Sequence, residues 1–155
     1  MPKVILLGIS NLKGGSIKEM NSVDAIKGKG LLNDRKLKEN NDKKFQLTLI
    51  EIENINYFNK ISNTSIEPLK FRRNIITEGI ELNKLINKEF LIGKVKIKGH
   101  DLCRPCRYLQ ELLGQKNLVK ELILKGGLRC EILSSGKIFV NDIIKNYDKL
   151  SYSPI

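Results

Sequence analysis

At 155 residues, with 41% hydrophobic and 29% charged positions, the chain has the length and composition of one domain that buries its own core, which excludes a disordered or fibrous protein. A formal net charge of +11 and a pI near 9.6 favour an anionic partner: nucleic acid, acidic lipid or a phosphorylated ligand. The opening MPKVILLGIS is too short to span a bilayer and lacks the flanks of an export signal, so a cytoplasmic protein with reduced thiols and no membrane partner is expected.

Taken in order, residues 1–148 read as one domain and 149–155 as a loose tail. Lys3 to Ile9 is a short apolar run ended by a turn at Gly14-Gly15, a buried strand. The region holding Val23, Ala25 and Ile26 reads as loop-rich and leads to GKGLLNDRK at 28–36. Its glycines permit backbone states closed to other residues, and Asp34 beside Arg35 puts opposite charges together. The GxxxxGK[ST] phosphate loop is absent. Phe45 to Ile52 alternates as a strand, and Ile55, Phe58 and Ile61 repeat at helical spacing over 53–61.

Pro68 breaks the pattern before LKFRRNIITEG, in which Arg72 and Arg73 diverge if the backbone is extended. Paired guanidinium groups beside Asn74 suit a phosphate or carboxylate, because each offers a fixed fork of donors. A helical turn at Leu82, Leu85 and Ile86 precedes strands at 89–92 and 94–98, the second ended by Gly99. Pro105 opens a helix with Leu109, Leu112 and Leu113 as its apolar stripe, and NLVKELILKG supplies another. LRCEILSSGKIFVNDII closes the chain as a strand, turn and strand, a hairpin signal. Many short strands and few helices predict a mainly β fold with a few helices, a mostly antiparallel sheet closed as a barrel or sandwich.

The chemistry concentrates at Cys103 and Cys106. A cysteine at a helix start, beside Arg104 and Arg107, has aligned N–H groups and positive charge that favour the thiolate. Such a group can carry a persulfide sulfur, ligate a soft metal or attack an electrophile. A dithiol redox pair lacks its usual βαβ setting, and a zinc site built on His100, Cys103 and Cys106 lacks a fourth ligand nearer than Cys130. His100 reads as a plain polar turn residue and Cys130 as a buried, inert thiol. Aromatic residues make up 6%, too few for a stacking platform, so nucleic acid is not the expected partner.

FRRNIITEGIELNKLINKEFLIG, VKIKGHDLCRPCRYLQELLG and LILKGGLRCEILSSGKIFVNDII, together with GKGLLNDRK, resemble the MOSC domain. This module stands at the C-terminal end of molybdenum cofactor sulfurases and also occurs as small stand-alone bacterial proteins. The resemblance implies a closed β-barrel with a few helices. It assigns the sulfur-holding or molybdenum-ligating cysteine to Cys106, through Arg104, Pro105, Cys106 and Leu109, with Cys103, of the LCxPC form found in some small members, as a second catalytic candidate whose role is open. It assigns cofactor contacts to Asp34, Arg35, Arg72, Arg73, Asn74 and Arg129. Asn33 stands where the family has a glycine, as does Asn141, and Lys125 and Cys130 replace arginine and alanine. Asparagine is the next best occupant of a left-handed backbone state.

Two activities are implied: a small oxidoreductase using a molybdenum-pterin cofactor, or a carrier of persulfide sulfur on Cys106. The reductase needs an electron-donor protein, since the chain shows no flavin, haem or iron-sulfur motif; the carrier needs a sulfur donor. The pyridoxal-phosphate domain of full sulfurases does not fit in this length, so no pyridoxal phosphate is expected. A non-enzymatic basic binding module is the third reading.

Overall fold

The computed structural model describes residues 1–12 and 14–147; the expected tail at 149–155 lies outside them. Eleven strands and three helices are present among the described residues: β1 (Lys3–Ile9), β2 (Lys18–Met20), β3 (Ser22–Ile26), β4 (Gly30–Leu31), β5 (Leu47–Glu51), α1 (Ile52–Ser62), β6 (Ile75–Glu78), β7 (Glu89–Ile92), β8 (Val95–Leu102), α2 (Arg107–Leu112), α3 (Leu118–Glu121), β9 (Leu128–Ile132), β10 (Gly136–Phe139) and β11 (Ile144–Asn146). Two 3-10 turns, Pro68–Phe71 and Leu82–Leu85, fall where proline and the short leucine spacing interrupt regular structure.

Eight strands form one sheet in the order β11-β7-β8-β9-β5-β6-β1-β2, and β10-β3-β4 form a second. All pairs are antiparallel except β5 with β6, which α1 connects. That connection needs a crossover, because parallel neighbours cannot be joined by a tight turn.

The expected closed barrel does not form. The large sheet is an open, curled half-barrel whose end strands, β11 and β2, are not neighbours. β2 occupies the edge of β1 at Leu7–Ile9. The segment entering β11 therefore reaches only the start of β1, through an isolated Lys3–Ile143 bridge and hydrogen bonds from Val4 N–H to Asp142 O (2.9 Å) and from Asn141 N–H to Val4 O (2.8 Å). The strands that would complete a ring pair among themselves instead.

Two other expectations fail for related reasons. The region around Val23 to Ile26 is not loop but strand β3, flanked by β4 and β10. β9 and β10 are not a hairpin: β10 pairs with β3, while β9 lies between β8 and β5. Ser134 and Ser135 carry the chain between the sheets, accepting hydrogen bonds from Lys96 N–H and Lys27 N–H.

The core is divided by the large sheet. Val4, Leu7, Leu47, Leu49, Ile75, Leu128 and Cys130 pack on one face with Val23, Ala25, Leu31 and Ile138 of the small sheet. On the other face Ile50 and Ile76 meet Ile55 and Phe58 of α1, Phe71, and Leu109, Leu118 and Leu122 of the α2–α3 region. β5 is covered on both faces, so all five of its residues are buried, as expected of a strand between two layers. Ile61 of α1, counted in its apolar stripe, is 47% exposed.

Candidate functional site

The site is assembled from four segments that follow or precede strands: 8–16, 33–36, 71–74 and 103–108, with Gly126–Gly127 wedged among them. Asn33 adopts φ 68°, the left-handed state that asparagine tolerates best after glycine. The turn it makes delivers Asp34 inward. The Asp34 carboxylate is buried and accepts from Ser10 N–H (2.9 Å), while Arg35 N–H donates to Ser10 O (2.7 Å). The 33–36 loop is thereby fastened to the end of β1.

Arg35 follows into a confined space. Its NH1 lies 3.6 Å from Asp34 Oδ1, too long for a good hydrogen bond, and that nitrogen is buried with no hydrogen-bond partner. Burial lowers the Arg35 pKa; Asp34 opposes this, and the charges of Arg72 and Arg73 push it further down. Tyr108 of α2 is near enough to act on the same guanidinium. These are the electrostatics of a site with more positive charge than it can balance.

Arg72 and Arg73 diverge as expected, though by a kink rather than by extension. Arg72 caps the Pro68–Phe71 turn at φ 66° and ψ 32°, an uncommon state for a residue with a β-carbon. Its NH1 donates to Gly15 O. Arg73 is thrown the other way, donating from Nε to Gly126 O (2.9 Å) and from NH1 to Phe71 O (3.2 Å). Asn74 is buried and internally engaged: Oδ1 accepts from Thr48 N–H and Oγ1–H, and Nδ2 donates to Gly8 O. It ties β5, β6 and β1 together directly behind Arg73.

β8 does not stop at Gly99 but runs to Leu102, with an irregularity between Gly99 and Asp101. Cys103 N–H then donates to Gly127 O (2.8 Å), and the thiol is buried. Pro105 precedes the helix rather than opening it; Cys106 is the capping residue of α2. Leu109 N–H donates to its Sγ (3.4 Å), and the side chain is exposed. The segment 103–108 lies near the 35–36 loop, Tyr108 acting on Arg35 and Cys103 on Lys36. Cys106 stands between them in the chain.

Lys36 was not among the expected site residues. It is half-buried, and burial, then the Arg35 charge, lower its pKa to about 8; Cys103 raises it and Arg73 lowers it. Sequence offered one signal, its place directly after Asp34-Arg35, but a lysine in a lysine-rich chain reads as solvated surface.

Arg129 takes a separate position. Its guanidinium lies over the Phe45 ring, 5.3 Å from the centroid, with no ion pair to the other site residues among those described. His100 is not a turn residue: it lies in β8, and its Nε2 is 2.8 Å from Glu131 Oε1. Cys130 is fully buried, and burial, then the Cys103 charge, push its thiol pKa well up. Among the described residues no three His, Cys, Asp or Glu side chains group to hold a metal ion. A groove of about 940 Å³ opens between the 14–17 loop and α2, lined by Ile17, Lys70, Arg72, Leu112 and Leu113 among others, and shares Arg72 with the arginine cluster.

Residues 34–145 match the MOSC domain. The chain belongs to the MOSC domain family. Among solved structures, the YuaD protein from Bacillus subtilis superposes with a TM-score of 0.81 at 18% identity, covering 96% of this chain and 98% of that one. YiiM from Geobacillus stearothermophilus gives 0.76 at 12% identity over 96% and 76%, and YiiM from Escherichia coli 0.70 at 15% over 96% and 70%. At these identities the likeness is one of fold. No curated protein matches the sequence.

Proposed function

We propose that this MOSC protein binds a molybdenum-pterin cofactor and works as a small oxidoreductase, with Cys106 as the protein's ligand to the metal. The observation carrying this reading is the unbalanced cradle of Arg35, Arg72 and Arg73 around the single buried carboxylate of Asp34, with an orphaned Arg35 nitrogen inside it. A buried donor without a partner is costly, and an anionic phosphate would supply the missing acceptors. The donor set also fits the metal: a molybdenum arriving in its own dithiolene chelate needs one thiolate from the chain, not a cluster of three ligands.

In this reading Arg35, Arg72 and Arg73 would hold the phosphate, Asp34 and Asn74 would hold the arginine-bearing loops in place, and Cys106 would offer its thiolate. Bound, the cofactor supplies two-electron chemistry at molybdenum. The protein supplies orientation and fixed positive charge that needs no rearrangement when the anion arrives. The groove beside Arg72 would take substrate, and electrons would come from a separate donor protein. Arg129, held over Phe45, has no part in this reading.

The exposure of Cys106 favours one other reading, a carrier that holds persulfide sulfur there and passes it to an acceptor. Purification from a host that makes the cofactor, followed by molybdenum, pterin and sulfane-sulfur analysis, separates the two. Stoichiometric molybdenum and pterin are expected; labile sulfur without metal would establish the carrier, and neither would overturn both.

A further inference from the structure

The turn that leads out of α3 holds two apolar side chains away from the fold. Leu124 adopts φ 62°, a left-handed state that a residue with a β-carbon takes up only at a cost. The backbone is fixed there from two sides: Asn83 Nδ2 of the Leu82–Leu85 turn donates to Leu124 O (2.8 Å), and Asn54 Nδ2 of α1 donates to Lys125 O (3.4 Å). Leu122 is buried, while Ile123 and Leu124 are left 66% and 65% exposed. Beside them Lys125 Nζ lies 4.6 Å over the Tyr57 ring, and the Tyr57 hydroxyl donates to Glu121 Oε2 (3.3 Å). Two residues beyond Leu124, Gly126 packs against Cys103 and Pro105, so the turn borders the segment that carries the exposed Cys106. Residues 104–129 hold six basic side chains, Arg104, Arg107, Lys116, Lys120, Lys125 and Arg129, against two acidic ones, Glu111 and Glu121. Four of the six, Arg104, Arg107, Lys116 and Lys120, are exposed.

We propose that the Ile123–Leu124 turn is the anchor of a docking surface for a small acidic electron-donor protein, which settles an apolar contact on these two residues and its carboxylates on the surrounding cations. The inference rests on the oxidoreductase reading above and names where its donor binds. An apolar pair already held outward by a pinned backbone loses little freedom when a partner covers it, and an apolar centre inside a charged rim is the usual anatomy of a protein interface. Charge selects the partner. A second copy of this chain would bring +11 against +11 and be repelled, whereas an acidic protein is drawn in. An anionic lipid surface fits less well, because it repels the Glu121 carboxylate at the edge of the turn, which a protein can meet with a donor group of its own.

An acidic flavodoxin and an acidic two-iron ferredoxin serve as probes. Their affinities are measured by calorimetry at about 0.05 and 0.2 M salt for the wild type, Ile123→Ser, Leu124→Asn, Lys120→Glu and, as a control on the small sheet, Phe139→Ser, whose site is also exposed. Asparagine tolerates the left-handed state, so Leu124→Asn should unfold no earlier than the wild type, yet bind a donor about tenfold more weakly. Ile123→Ser should show a similar loss, Lys120→Glu a loss greatest at the lower salt, and Phe139→Ser none. Binding of neither donor by the wild type, or equal binding by Leu124→Asn, would overturn the surface. So would binding to phosphatidylglycerol vesicles, in place of the donors, that Leu124→Asn abolishes; the turn would then belong to a membrane. The molybdenum content of the same wild-type protein, purified from a host that makes the cofactor, separates this inference from the reading beneath it. Donor binding without molybdenum would overturn the cofactor and leave the surface standing, whereas molybdenum-loaded protein that ignores both donors would overturn the surface alone.

Discussion

At the scale of residues, the three thiols occupy three different environments. Cys106 is exposed at the start of α2, Cys103 is 4% exposed beneath Gly126–Gly127, and Cys130 is 0% exposed in the main core. Alkylation requires both access and a thiolate, and burial deprives Cys130 of each. Iodoacetamide at pH 8 should therefore place one adduct on the folded protein, at Cys106, and three after denaturation, read by intact mass and peptide mapping. An early adduct on Cys130 would contradict the packing described. Arg35 shows the opposite condition, a guanidinium half-buried beside Asp34 with one nitrogen that has no hydrogen-bond acceptor. Such a residue is costly to the fold and informative about the ligand.

At the scale of elements, two glycines set the distance between the thiol segment and the sheet. A β-carbon at Gly127 would fall 2.0 Å from Leu49 O, at φ 104°, and one at Gly126 would fall 2.4 Å from Cys103 O. Both neighbours are backbone, so neither can move aside cheaply. Gly127→Ala should destabilise the protein by about 3 kcal/mol or more through steric overlap and backbone strain together, measured by urea unfolding. Gly126→Ala keeps an ordinary backbone angle; it should cost less stability but displace Cys103 and the Gly126 carbonyl that anchors Arg73, and so weaken binding of sulfate, used as a probe anion for the arginine cradle and measured by calorimetry. Equal stability losses in the two variants would contradict this division.

The same elements show what can be read from a chain of this kind. β1 is legible as a short apolar run, β5 through the alternation within 45–52, and α1 through the helical spacing of Ile55 and Phe58. The left-handed states of Asn33 and Asn141 are legible through the resemblance, since both stand where the family uses glycine. Sheet closure is not. Whether β9 turns back on β10 or crosses to a second sheet depends on pairings more than 100 residues apart in sequence, such as Lys137 with Asp24, which local alternation does not encode. Lys36 was hidden for another reason: composition assigns lysine to solvent, whereas its environment is set by two other segments, those of Arg73 and Cys103, that approach its loop.

At the scale of the whole molecule, the half-barrel serves as a frame that brings loops from distant parts of the chain to one cationic site. The small sheet covers one face of the large one and the helices cover the other. The Asp34–Arg35–Lys36 loop, the Arg72–Arg73 kink and the Cys103–Cys106 segment are left to meet beside the groove. A formal net charge of +11 favours the approach of anions in general. No helix among the described residues is long and apolar enough to cross a membrane.

The central claim is that Cys106, and not its neighbour, supplies the protein ligand to a cofactor held by this cradle. The most direct measurement is the molybdenum-to-protein ratio of the wild type, Cys106→Ser and Cys103→Ser, each purified from a host that makes the cofactor and each verified as folded. The account predicts a ratio near one for the wild type, a large loss in Cys106→Ser and substantial retention in Cys103→Ser. Equal loss in both variants, or a wild type without molybdenum, would contradict it.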